Sequence, residues 1–224
     1  MKNKVVLLII AMLLITSCTF KPSDAVRFKN EYESLNNKED NNGNTYQKVI
    51  IDENNPIIYS DAREILTMIE DKKTFIVLFG YNTSFWSRAL IPTLLKVAND
   101  EDLDTMYYVD INEIRDVLDT DGSTIQKGTQ EYFELLKAFD EVLNDYTFAA
   151  LDGTIVNFEE KRIDAPSVIA VIDGKAQMMR TGITEDITDY FVTDEILASA
   201  YSSYSEVIRL VVSKNAVCTQ DAGC

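Results

Sequence analysis

The chain has 224 residues, 46% hydrophobic and 10% aromatic, enough for one domain with a real core and too much for a wholly disordered chain. Its formal charge is -16, and residues 1–17 hold Lys2, Lys4 and no acid, so the remainder carries about -18 and repels a phosphate backbone; nucleic acid is not an expected partner. Histidine is absent, which removes Ser-His-Asp and Cys-His catalysis and every histidine-ligated metal site.

The N-terminus reads as basic MKNK, the apolar run VVLLIIAMLLI and then Thr16-Ser17-Cys18. The apolar run is too short for a permanent membrane span and suits the core of an export signal. The segment Ile15-Thr16-Ser17-Cys18 resembles the bacterial lipobox. That resemblance implies a signal peptide over 1–17, a lipidated Cys18 and a protein held on the extracytoplasmic face of the cell membrane, where disulfides persist. The alternative is an ordinary export signal with an incidental cysteine.

Residues 19–47 are rich in Asn, Lys, Glu and Ser without a periodic apolar pattern, so residues 18–48 are expected to be the lipidated cysteine followed by a disordered tether. A flexible coil of this length reaches roughly 30 Å. Globular signals fill the remainder, 49–224. They begin with the short runs VII and Ile57-Ile58-Tyr59, then a helix AREILTMIEDK capped by Asp61 with Ile65, Leu66 and Ile69 on one face. TFIVLF, unbroken in its apolar character, predicts a central strand covered on both faces. A helix from about Phe85 to Val97 follows, kinked at Pro92, and then a second central strand, TMYYVDI.

An excursion covers about 112–160. Ile114, Val117 and Leu118 predict a short helix there, Asp121-Gly122 a polar turn, TQEYFELLKAFDEVLND a strong amphipathic helix, and FAALDGTIVNF a hairpin turned at Asp152-Gly153. SVIAVIDGKAQMMRTG predicts a further hairpin turned at Asp173-Gly174, and Asp194 is expected to cap a final helix running to about Ser213.

The strand TFIVLF is followed by Ser84-x-x-Ser87, Pro92 lies in the next helix, and Ala165-Pro166 opens the Asp173-Gly174 hairpin. In these features the chain resembles the thioredoxin fold over roughly residues 60–215. With its insertion it is similar to the bacteriocin-accessory-like thioredoxin relatives, whose active motif is commonly Cys-Pro-x-Cys. The resemblance implies an α/β domain with a central mixed sheet flanked by helices, a helical insertion before the proline hairpin, and a cis Pro166 facing the motif.

Two departures argue against redox chemistry. Thiol exchange needs a thiolate, which serine cannot supply. Where the family often buries a carboxylate beneath the motif for proton transfer, the matching position is Leu78. Ser84 is expected to cap the helix, and a serine nucleophile would need a lysine or carboxylate base. What remains is a binding surface of Tyr81, Phe85, Trp86, Ala165 and Pro166, where related proteins lay down an extended peptide, so a peptide or partner protein is the expected ligand. The alternative is a thiol-disulfide oxidoreductase, with serines standing for cysteines or with exchange through Cys218 and Cys224. Those two cysteines, separated by five residues, are otherwise expected to form a structural disulfide. Neither metal nor cofactor is expected. In particular, placing Gly122 of DTDG at the sixth position of a calcium loop puts Val117 and Gly128 at the ligand positions one and twelve.

Overall fold

The computed structural model of the chain describes residues 22–119, 123–149, 155–183 and 191–220. Cys18, Cys224 and the turns at Asp121-Gly122 and Asp152-Gly153 lie outside these residues, as does the Cys218 side chain. The first element, α1 (Asp24–Glu33), corrects the expectation of a tether over 18–48. Ser23 caps it, its hydroxyl accepting from the Val26 N–H at 3.3 Å. Phe28 and Tyr32, four residues apart and therefore on one face, are fully buried. Their rings pack with Tyr59 and Tyr108, the Phe28 and Tyr108 centroids 4.8 Å apart and nearly perpendicular. Two aromatics in a polar window turn this helix toward the core, although they leave almost no trace in its average composition. Val49 and Ile51 are buried as well.

A five-stranded mixed sheet forms the centre: β1 (Ile57–Tyr59), β2 (Phe75–Gly80), β3 (Met106–Asp110), β8 (Ser167–Ile172) and β9 (Lys175–Arg180), in the order β1-β3-β2-β8-β9. β1, β3 and β2 run parallel, while β8 is antiparallel to β2 and to β9. The two crossovers of the parallel part lie on opposite faces. α2 (Ala62–Glu70), with Asp61 accepting from the Glu64 N–H at 2.9 Å, joins β1 to β2; α3 (Phe85–Asp100) joins β2 to β3.

The unbroken apolar run of β2 is divided by its period of two. Ile76 and Leu78 face Leu90, Leu94 and Val97 of α3, together with Tyr204 and Ile208 of the last helix, α5 (Asp194–Gln220). Phe75, Val77 and Phe79 face the opposite core, with Ile65 of α2 and Tyr132, Leu135 and Phe139 of α4 (Gln130–Phe139). Each such side chain contributes about 1.5–3 kcal/mol over an exposed one, which makes β2 the strand that joins the two cores.

The excursion holds α4 and two ribbons, β4 (Val117–Leu118) with β5 (Thr124–Gln126), and β6 (Asp145–Ala149) with β7 (Ile155–Lys161). The short helix expected at Ile114–Leu118 is instead a turn, Arg115 N–H donating to Ile111 O at 3.0 Å, followed by β4. Three apolar positions do not separate the two periods. α4 ends at Phe139, earlier than expected, and Leu143 is buried from the turn that leads into β6.

The Asp173-Gly174 turn places both residues at positive φ, 51° and 74°; a Cβ on Gly174 would lie 2.3 Å from Ile69 O, so the turn demands glycine on two counts. The last helix runs beyond Ser213 to Gln220, with no glycine or proline to stop it. Its cap is Thr193, whose hydroxyl accepts from the Ile196 N–H at 3.2 Å; Asp194 lies in the first turn. Among the described residues no helix is long and apolar enough to cross a membrane.

Candidate functional site

β2 ends at Gly80 and the chain turns through Tyr81–Thr83 before Ser84 opens α3. Ser84 Oγ accepts from the Ser87 N–H at 3.2 Å, the expected cap, and in addition donates to the Ala165 carbonyl at 3.0 Å. Ala165-Pro166 is a cis peptide bond. It lies where it does because β8 pairs antiparallel with β2, Phe79 opposite Ser167, so the residues entering β8 meet the residues leaving β2. The two sequence motifs are thus brought together by the central strand pair.

Around this junction Tyr81, Phe85, Trp86 and Ala165 are half-buried, and Pro166 is buried. The Phe85 and Trp86 rings meet edge to face at 5.1 Å. Trp86 leans on the core between α3 and the sheet, and Tyr81 on the opposite core, so the aromatics bracket the junction from both sides.

Ser87 is fully buried, and its hydroxyl makes no hydrogen bond of acceptable geometry among the described residues, although it lies close enough to the Tyr32 hydroxyl to influence that phenol. Leu78 is buried in the core shared with Trp86 and Leu90. The polar groups beneath the motif are phenols. The Tyr32 and Tyr108 hydroxyls lie 3.5 Å apart, and Tyr108 donates to Gly80 O at 3.4 Å. Burial pushes both phenols above their ordinary pKa, so neither acts as a base near neutrality. Ser84, whose hydroxyl proton is directed at a carbonyl, has no carboxylate or lysine among its hydrogen-bond partners in the described residues to deprotonate it.

Sequence reasoning missed Arg88. The residue is 1% exposed, in a turn of α3 that is buried all round, from Ser87 to Ile91. Its guanidinium donates to Gln47 O at 2.8 Å, Tyr32 O at 2.8 Å, Asn82 O at 3.1 Å and Asn36 Oδ1 at 2.9 Å. One side chain therefore ties α3 to the N-terminal segment and to the motif loop. Burial lowers its pKa, but guanidinium starts so high that it stays charged.

Beside Tyr81 and Ala165 lie two further charged groups that the sequence did not signal. The Arg115 guanidinium stands over the Tyr81 ring, 5.4 Å from its centroid, and Nε is buried without a hydrogen-bond partner among the described residues. Asp164 directly precedes Ala165; burial pushes its carboxyl up to about 6, an effect the Arg115 charge opposes. On the other side of Asn82, a cleft of about 550 Å³ is lined by Arg27, Glu31, Tyr59, Asp61 and Asp110. Glu31 accepts from the Tyr59 hydroxyl and from Arg27 there. Among the described residues no three acidic or cysteine side chains are arranged to hold a metal ion.

The chain matches no protein-family model, and neither the curated proteins nor the solved structures give a significant match.

Proposed function

We propose that this chain is a lipid-anchored, extracytoplasmic thioredoxin-like protein without dithiol chemistry, which binds extended peptides or partner proteins across Tyr81, Phe85, Trp86 and Ala165-Pro166. The observation that carries the reading is the hydrogen bond from Ser84 Oγ to Ala165 O, which sets a helix-opening Ser-x-x-Ser against a cis-proline loop. The strand order and the opposite placement of α2 and α3 agree with it. The half-buried rings offer apolar area next to backbone of the loop, the combination that accepts an added strand. Ala165 O, although engaged by Ser84, keeps a second lone pair for a ligand N–H.

Anchoring through Cys18 rests on the lipobox resemblance. With α1 starting at Asp24, the linker is short: six residues reach at most about 20 Å, so the domain would sit close to the head groups.

A thiol-disulfide oxidoreductase is the second reading, favoured by position alone. Ser84 caps α3 and Ser87 lies one turn inside it, the placement that a helix N-terminus would use to stabilise a thiolate at 84.

The test is binding of the full chain, purified in detergent, to an array of extended peptides, compared with Tyr81→Ala and Phe85→Ala. Loss of affinity by about tenfold or more in both variants is expected. Binding untouched by either change, or no peptide bound at all, refutes the site. For the anchor, Cys18→Ala should leave the membrane fraction or stall in processing; unchanged retention would refute lipidation.

A further inference from the structure

The cleft beside Asn82 follows from the order of the strands. Tyr59 ends β1 opposite Tyr108, and Asp110 ends β3 just beyond it. β1 leaves for α2 on one face and β2 for α3 on the other, and crevices open beyond the carboxyl ends of strands where crossovers part in this way. α1 forms the far wall, tied to the motif loop by Asn82 Nδ2, which donates to Glu31 O at 3.3 Å. The cleft so formed measures about 550 Å³. Asn82 lines it and directly follows Tyr81, so cleft and peptide surface adjoin.

One end of the cleft already holds a guanidinium. Arg27 lies over the Tyr59 ring, 3.7 Å from its centroid, and its Nε donates to Glu31 at 2.9 Å. The other carboxylates have only neutral donors: the Glu64 N–H to Asp61 at 2.9 Å, the Ser60 hydroxyl to Glu64 at 2.8 Å and the Asn112 N–H to Asp110 at 2.9 Å. Among the described residues none of these three enters a salt bridge. Asp61, Glu64 and Asp110 are all exposed and open to a ligand. Four carboxylates against one guanidinium give the cleft a surplus of negative charge. Among the described residues no three of its acids are arranged to hold a metal ion, so an organic cation is the matching occupant.

We propose that this cleft receives a basic side chain, arginine or lysine, of the peptide or partner laid over the motif, with Asp61, Glu64 and Asp110 as its acceptors. The inference rests on the peptide-binding reading above. A cation there finds what Arg27 finds at the other end, carboxylate oxygens that only accept. A glutamate at the same place would meet like charge from three sides, and a glutamine would leave the charge uncompensated.

The experiment uses the full chain in detergent and an array of nine-residue peptides, each carrying Arg, Lys, Gln or Glu at one position in turn. At one position of a bound peptide, Arg and Lys should be preferred over Gln by about fivefold or more, with Glu weakest. Asp110→Asn and Glu64→Gln keep their hydrogen-bond acceptors and should each shrink that preference while leaving the Gln peptide bound as before. Glu70→Gln, which removes the same charge at the other end of α2, should leave the preference unchanged. Near-ultraviolet circular dichroism checks that each variant is folded, and the wild-type preference needs no variant at all. Equal affinity for all four residues at every position would overturn the cleft and leave the peptide surface standing. A basic preference that Glu70→Gln weakens as much as Asp110→Asn and Glu64→Gln do would trace it to the overall charge of the chain, and overturn the cleft as well. No binding of any peptide would overturn the peptide surface itself, and this use of the cleft with it.

Discussion

Ser84 Oγ takes a hydrogen bond from the Ser87 N–H at 3.2 Å and gives one to the Ala165 carbonyl at 3.0 Å, so one hydroxyl both starts α3 and joins it to the cis-proline loop. Ser84→Ala removes both. Loss of the cap alone costs about 1 kcal/mol, and an unsatisfied carbonyl adds a similar amount. Urea unfolding should show a lowered midpoint at unchanged m. Ser84→Asp, which can cap but not donate, should fall between wild type and Ser84→Ala. Equal midpoints for all three would show that the bond is not a latch.

Among the described residues the buried Ser87 hydroxyl finds no well-formed hydrogen bond. Ser84→Cys with Ser87→Cys should therefore be tolerated, because sulfur is content in an apolar site, and the pair should form a reversible disulfide. The sulfur introduced at position 84 should be the attacking one, since position 84 is half-buried and position 87 fully buried. Insulin-type turnover assays should detect activity in this variant only, and at a modest level, because Leu78 supplies no proton acceptor beneath it. Thiol labelling that finds two free, unpaired cysteines under oxidising conditions would contradict the geometry.

Arg88→Met keeps the unbranched stem of the side chain but ends short of the guanidinium nitrogens, leaving Tyr32 O, Gln47 O and Asn82 O without their charged donor. About 2–4 kcal/mol of destabilisation is expected. Before global unfolding, limited proteolysis should cut near residues 34–48, the stretch whose attachment depends on this side chain. A variant as resistant as wild type in that stretch would mean that Phe28 and Tyr32 hold the segment unaided.

Asp164 titrates near 6 in the folded chain and near 4 when unfolded, because burial disfavours its charge more than Arg115 favours it. Between these values the native state binds more protons than the unfolded state. Its contribution to stability is therefore greatest below pH 4 and is lost as pH rises to 6. Asp110, also raised by burial, acts in the same direction, while Asp100 and Glu101, lowered by their bonds to Lys96 and Arg209, oppose it. The difference between wild type and Asp164→Asn isolates the one group: the variant should gain relative stability as pH climbs from 4 to 6 and hold that gain above. A pH-independent difference would place the Asp164 pKa at its ordinary value.

Much of the architecture was legible in the order of residues because it rests on local rules. TFIVLF had to be a doubly covered strand, Ser84 and Asp61 had the chemistry of caps, and Asp173-Gly174 had the residue types that tolerate positive φ. These depend on neighbours within about four positions, which is the range over which a sequence pattern speaks. Where local signals were too brief, as at Ile114–Leu118, the ribbon partner β5 decided the outcome.

The absence of sulfur from the motif and of histidine from the chain followed from the sequence alone, and with them the exclusion of dithiol exchange at Ser84 and Ser87 and of histidine-dependent catalysis. The docking of α1, the burial of Arg88 and the placing of Arg115 over the Tyr81 ring were decided by tertiary structure. The physical reason is sequence separation. Tyr32 meets Tyr108 across 76 positions, Arg88 reaches Tyr32 O across 56, and Ser84 reaches Ala165 O across 81. No composition window or periodicity spans such distances. Whether a charged side chain is solvated or buried, and which partners it finds, is set only when β2 places α3, the N-terminal segment and the cis-proline loop around one point.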